Sequence, residues 1–309
     1  MTRGPLGDRT ALWSTPRVAA SARDGERSAS VAAMTTWIGF VQNEVELACR
    51  DFGGTGPPVL FLHGLAGHAG EWDATAEPLT ASYRVLALDQ RGHGRSERHP
   101  TDVSREAFVA DVGAVIGELD LGPVVLVGQS MGANTALLVA AEHPQLVTAL
   151  VVVEGSPDGP EPGEPLPDTA LRIQEWLATW PASFPTADAA RAFFASQSLE
   201  PDAWTSGLEQ TPNGLRPSFD PAVMVDCIAD LASRNYWQQW RLIRCPTLIV
   251  FGQHGYFDDE HGAELVRQAR HAELATVPAA GHDLHLDSPE QWIKSLLRFL
   301  SSLEGSALR

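Results

Sequence analysis

The stretch "VVLVGQSMGANTA", residues 124–136, runs four apolar residues into a serine flanked by Gly128 and Gly132, then resumes as an Ala-rich segment. A short continuous Val/Leu run bounded by glycine reads as a strand covered on both faces. The segment from Met131 through Glu142 reads as a helix. The two glycines let the backbone pass close to its neighbours in a sharp strand-to-helix turn. They leave the Ser130 hydroxyl exposed at the start of the helix. G-x-S-x-G is a weak signal by itself. It becomes specific between a buried strand and a helix, where a serine acting only as a helix cap is the bland alternative.

Working outward, "WIGFVQNEVELACRDFG" (37–53) alternates around a polar turn and reads as an antiparallel hairpin. Further apolar runs lie at "PVLFLHG" (58–64), "YRVLALDQ" (83–90), "VTALVVVEG" (147–155), "PTLIVFGQ" (246–253) and "HAELATVP" (271–278). Amphipathic segments at 104–119, 131–142, 259–270 and 288–302 lie between or after them. Strand–helix alternation implies an α/β fold with a mostly parallel, doubly wound sheet. One insertion breaks the rhythm between the sixth and seventh strands. It opens with "GSPDGPEPGEPLPD" and reads as helices near 168–180, 186–197 and 221–240. The expected organisation is a core of 36–155 and 245–309, a helical cap of 156–244, and an N-terminal tail of 1–35. The tail is rich in Arg, Ser, Ala and Gly, and Met34 is an alternative start.

Composition narrows the partners. The chain has 309 residues, is 44% apolar and carries a formal net charge of −17. Such acidity argues against nucleic acid and against an anionic membrane surface, and no apolar run reaches the ~20 residues of a membrane span. Three cysteines are too few and odd in number for a disulfide framework, which points to reduced thiols and a cytoplasmic setting. No Cys/His grouping has metal-ligand spacing, and His63 and His93 read as loop-shaping residues. The expected partner is a small-molecule substrate; a homodimer is compatible with this reading.

These motifs together resemble the α/β-hydrolase superfamily over about residues 37–304. "FLHGLAG" (61–67) is similar to the family's His-Gly loop, "LDQRGHGRS" (88–96) to the loop after the fourth strand, and "AAGHDLHLDSPEQW" (279–292) to the segment carrying the catalytic histidine. The resemblance implies Ser130 as nucleophile and His282 as base, with His285 as its competitor. The backbone N–H groups of Leu65 and Met131 would form the oxyanion hole. No cofactor is implied. Most relatives place the triad acid after the strand that follows the cap, as Gly-x-x-Asp; here the segment reads Gly252-Gln253-His254-Gly255. Glu154, at the end of "ALVVVEG", is the first candidate to replace it. A carboxylate after an apolar run needs a partner there. Zearalenone lactonases and some haloalkane dehalogenases carry the acid at this strand end. Asp258 is second, with Asp158 and Asp283 behind it.

A serine rather than an aspartate nucleophile argues against dehalogenase and epoxide hydrolase chemistry and for an acyl-enzyme. Five of the nine tryptophans fall in the insertion. Trp176, Trp180, Trp204 and Trp237 are the expected lining of an apolar cleft, with packing among cap helices as the alternative. The expectation is a serine hydrolase acting on a carboxylic ester or lactone. Alternatives are a carbon–carbon hydrolase, acyltransferase, cyclase or lyase of the same fold, or a ligand-binding receptor with little turnover.

Overall fold

A computed structural model describes residues 35–161, 163–165 and 168–307, so the expected tail 1–35, except its last residue, lies outside the described residues. The main sheet has eight strands in the order β1-β2-β4-β3-β5-β6-β9-β10. β1 (Thr36–Gln42) and β2 (Val45–Gly53) form the expected hairpin, closed by Asn43 and Glu44, both with positive φ. β2 is antiparallel to β4 (Arg84–Asp89). β3 (Pro58–Leu62), β4, β5 (Val124–Gln129), β6 (Val147–Val153), β9 (Thr247–Gly252) and β10 (Ala272–Val277) are mutually parallel.

The near-continuous apolar runs are explained by burial on both faces. Along β3 and β4, Leu60, Leu62, Leu86 and Leu88 face one core, while Val59, Phe61, Val85 and Ala87 face the other. The first core is closed by α2 (Arg105–Glu118), α3 (Met131–Glu142) and the insertion. The second is closed by α1 (Asp73–Leu79), the short α10 (Leu284–Asp287) and α11 (Pro289–Ala307). Alternation over a two-residue period thus serves two cores, which polarity alone does not display.

The insertion is not purely helical. α4 (Thr169–Ala178) and α5 (Ala187–Ser196) match the expected segments, but α6 (Pro201–Ser206) and a hairpin of β7 (Leu208–Thr211) with β8 (Gly214–Pro217) were not anticipated. The strand after the insertion is seventh in the main sheet and ninth in the chain for this reason. Arg98 anchors the hairpin to the loop after β4, donating to Glu209 at 2.8 Å and to the carbonyls of Pro217 and Phe219 at 2.7 Å. The expected helix 221–240 is split into α7 (Pro221–Leu231) and α8 (Trp237–Leu242). At the break, Tyr236 N–H donates to Pro157 O at 2.7 Å, tying the chain leaving β6 to the insertion. A Cβ at Gly159 would fall 2.2 Å from Arg234 O, so only glycine permits this close approach. Among the described residues no helix is long and apolar enough to cross a membrane.

The loop after β3 is fixed by buried polar groups. His63 accepts from Gln90 N–H at Nε2 (3.0 Å), its Nδ1 lies 2.7 Å from Gly64 O, and burial pushes its pKa well down. Glu71 closes a capping box with His68, and Trp72 stacks on His285 with centroids 4.4 Å apart. Burial raises the Glu71 carboxyl from 4.5 to about 7 and lowers His285 to about 4, so His285 supplies no charge at neutral pH. A carboxyl raised by folding stabilises the fold most below its unfolded pKa, and that contribution is lost as pH rises through about 7. Glu71→Gln is therefore expected to gain stability relative to wild type between pH 4.5 and pH 8, by up to about 3 kcal/mol, read from urea midpoints across that range.

Candidate active site

Two adjacent parallel strands end in the same unusual way. β5 leads into Ser130 at φ 52° and ψ −116°, and β6 leads into Glu154 at φ 47°. Neither residue is glycine, and positive φ costs each of them about 1–3 kcal/mol. The strand ladder is continued through both turns: Ser130 N–H donates to Val153 O at 2.9 Å, and Glu154 N–H donates to Val250 O at 3.0 Å. The glycines do what the motif requires of them. A Cβ at Gly128 would lie 2.2 Å from Gly132 O, and one at Gly132 would lie 2.5 Å from the carbonyls of Leu62 and His63. Helix α3 can start immediately at Met131 only because both side chains are absent. Met131 is the first helical residue, so its N–H has no acceptor inside the helix. Leu65 lies in the turn closed by Gly67 N–H donating to Gly64 O at 3.2 Å.

Ser130, Glu154, His282, Leu65 and Met131 all line one cavity of about 780 Å³. The Glu154 side chain is fully buried. Its Oε1 accepts from Gly252 N–H at 2.7 Å, and its Oε2 accepts from Tyr256 N–H at 2.9 Å and lies 3.2 Å from His282 Nδ1. The carboxylate therefore holds the imidazole by one nitrogen and leaves Nε2 for the cavity. The glycine at 255 is a necessity of this arrangement: a Cβ there would stand 2.0 Å from Glu154 Oε1. The space a Gly-x-x-Asp acid would use is filled by a carboxylate arriving from the neighbouring strand.

The other carboxylates take different places. Asp258 is exposed and caps α9 (Asp259–Gln268), accepting from His261 N–H at 2.8 Å. Asp158 accepts from Trp237 Nε1–H at 3.0 Å and lies 3.3 Å from His261 Nε2. Ser156 Oγ contacts that same Nε2 at 2.9 Å, so Ser156, His261 and Asp158 do not form a relay through two ring nitrogens. Asp283 lies in the cavity wall, accepting from Trp204 Nε1–H at 3.2 Å and, at 3.5 Å, from Gln129 Nε2–H. His285 is buried against Trp72, with its Nε2 3.4 Å from Glu71, and is absent from the cavity lining.

Of the four tryptophans expected in the cleft, Trp176 and Trp204 line it. Trp180 does not: it sits among Phe193, Phe194, Trp204 and Phe219, with centroids 5.1–6.0 Å away, because an aromatic cluster ties the turn after α4 to α5 and α6. Trp237 is outside too, its indole committed to Asp158. Tyr256 was missed from sequence. Its ring stacks on His282 with centroids 4.2 Å apart and planes 25° apart, although the residue is 77% exposed. An aromatic directly after the glycine that replaces the family's acid was the available signal.

Comparison with known proteins agrees with this architecture. A model of the alpha/beta hydrolase fold matches residues 57–289. The chain is 32% identical to the mouse (Mus musculus) sn-1-specific diacylglycerol lipase ABHD11 over 256 residues, covering 79% of this chain and 81% of the lipase. It is 28% identical to the 2-(acetamidomethylene)succinate hydrolase of Mesorhizobium japonicum, over 81% of this chain and 90% of that enzyme. A crystal structure of E-2-(acetamidomethylene)succinate hydrolase superposes with a TM-score of 0.77 at 26% identity, covering 87% of this chain and all of the other. With its elbow serine, its strand order and three quarters of its length matched, the chain belongs to the α/β hydrolase family.

Proposed function

We propose that this chain is a cofactor-free serine hydrolase that cleaves a carboxylic ester or lactone of an apolar small molecule. The observation that carries the reading is the buried Glu154 carboxylate on His282 Nδ1, in the wall of the cavity that also holds Ser130. Ser130 Oγ attacks the acyl carbon while His282 Nε2 takes its proton. Glu154 fixes the tautomer and stabilises the imidazolium that forms. The N–H groups of Met131 and Leu65 receive the oxyanion. Collapse expels the alcohol, protonated by His282, and leaves an acyl ester on Ser130. Water, deprotonated by His282, then attacks that ester; the acyl–Oγ bond breaks, the proton passes from His282 to Ser130 Oγ, and the acid is released. Ile173, Trp176, Leu199 and Leu231 give the cavity an apolar side suited to the rest of the substrate. The diacylglycerol lipase relative is named for an ester substrate, which fits this choice.

Hydrolysis of p-nitrophenyl acetate, butyrate and octanoate tests the reading. Ser130→Ala is expected to lose about 10³-fold or more in kcat, together with fluorophosphonate labelling, and Glu154→Ala about 10²- to 10⁴-fold. Unchanged rates in Ser130→Ala would sink it. Asp258→Ala should keep its turnover and lose about 1 kcal/mol of stability as a helix cap.

The site can also be redrawn to the commoner family pattern. Gly255→Asp alone is expected to abolish activity, since its Cβ collides with Glu154. Combined with Glu154→Ala it should restore at least about tenfold in kcat over Glu154→Ala, because the acid then reaches His282 from the usual side.

Tyr256 supports the base rather than the substrate in this scheme. Tyr256→Ala is expected to lower kcat about 2- to 10-fold with little change in KM. Tyr256→Phe should retain both values, because the stacked face is what it supplies.

A further inference from the structure

We propose that Asp283 is a specificity-determining residue: it receives a hydroxyl or ammonium group of the substrate and turns away a substrate carboxylate. The inference rests on the hydrolase reading in one respect, that the cavity beside Ser130 is where substrate binds.

Asp283 directly follows His282 and lines the same cavity. Burial raises its carboxyl above the ordinary aspartate range; His282 and His285 oppose that shift, and Glu71 and Asp287 add to it. Its two donors are both neutral, the Trp204 indole at 3.2 Å and the Gln129 amide at a long 3.5 Å. A carboxylate has about four acceptor positions. Two are used here, and no cationic side chain is paired with this group among the described residues. A half-buried acceptor this lightly compensated, at the wall of a cavity, gains from any donor that a ligand brings.

The surrounding charge points the same way. Among the described residues the cavity wall carries Glu71, Glu154, Asp158, Asp283 and Asp287 against a single guanidinium, Arg172, which is itself ion-paired with Asp168 at 2.9 Å. Glu154 is fully committed to His282 and two backbone amides. The others impose a negative potential on a space partly shielded from water, where like-charge repulsion is strong. Ile173, Leu199 and Leu231 supply an apolar remainder. The fitting substrate is therefore an ester with an apolar body and a hydrogen-bond donor close to the scissile bond.

Titration calorimetry on the full chain at pH 8 and fixed ionic strength tests this with three ligands of equal length: hexylammonium, hexan-1-ol and hexanoate. Wild type is expected to bind hexylammonium at least about tenfold tighter than hexanoate, with hexan-1-ol between them. Asp283→Asn should reduce that ratio to about threefold or less. Glu71→Gln, which removes a neighbouring charge but not Asp283, should keep most of it. Equal ratios in wild type and Asp283→Asn overturn the proposal, as does a wild type with no preference or a collapse seen only in Glu71→Gln. If Asp283→Asn does not give the wild-type circular dichroism spectrum, Asp283→Ser takes its place. Binding is read without turnover, so the two readings fail separately. No preference in wild type, or a preference that persists in Asp283→Asn, removes Asp283 alone when Ser130-dependent ester hydrolysis is intact; ester hydrolysis that survives Ser130→Ala removes the hydrolase reading.

Discussion

A carboxylate at the end of a buried strand is the constraint to which the rest of the site is fitted. Taking Glu154 out of water costs several kcal/mol unless both oxygens are satisfied. Two backbone N–H groups, from Gly252 and Tyr256, and one imidazole satisfy them. That solution fixes the chain after β9. Residue 255 must lack a side chain, because the carboxylate already occupies its space. Residue 256 must turn its N–H inward, and its ring is thereby placed on His282. The missing acid of the Gly-x-x-Asp segment is thus no vacancy: the segment has become a cradle for an acid supplied from next door.

The same logic explains the backbone strain. Ser130 and Glu154 both hold positive φ, and both are held there by a hydrogen bond to the adjacent strand. Each strained turn is paired with the end of a neighbouring strand, so distortion at one side chain is carried by the sheet as a whole. Rigid placement of the two side chains proposed as nucleophile and acid is what such strain provides. Arg91 extends this rigidity to the next loop, pairing with Asp111 in a buried two-bond contact at 2.6 and 2.7 Å.

The features legible in the sequence were those set by local rules. The elbow motif placed Ser130, the buried runs placed the strands, and the polar residue ending "ALVVV" singled out Glu154. What stayed hidden depended on partners far away in the chain. β7 and β8 are only four residues each, too short for an alternating pattern to register, and they are anchored by Arg98 from a distant loop. The break between α7 and α8 is imposed by the strap at Pro157–Gly159 rather than by a proline or glycine inside the helix. Trp180 and Trp204 look alike in sequence. Both belong to one aromatic cluster, but only Trp204 also reaches the cavity, and the packing of that cluster decides which. Tyr256 and Asp283 take their positions from Glu154 and Trp204, so neither has a motif of its own.

The placement of Glu154, the proposed acid, before the insertion has a consequence for how the chain can vary. Ser130 and Glu154, the proposed nucleophile and acid, sit at the ends of strands paired side by side, and both precede the segment that contributes the far wall of the cavity. In the commoner arrangement the acid lies beyond that segment, and changes in the segment risk displacing it. Here the segment can lengthen, shorten or be exchanged while those two residues keep their relative geometry. Only His282 must be brought back from the far side. On this plan the proposed chemical pair is insulated from the part of the chain that shapes the rest of the cavity.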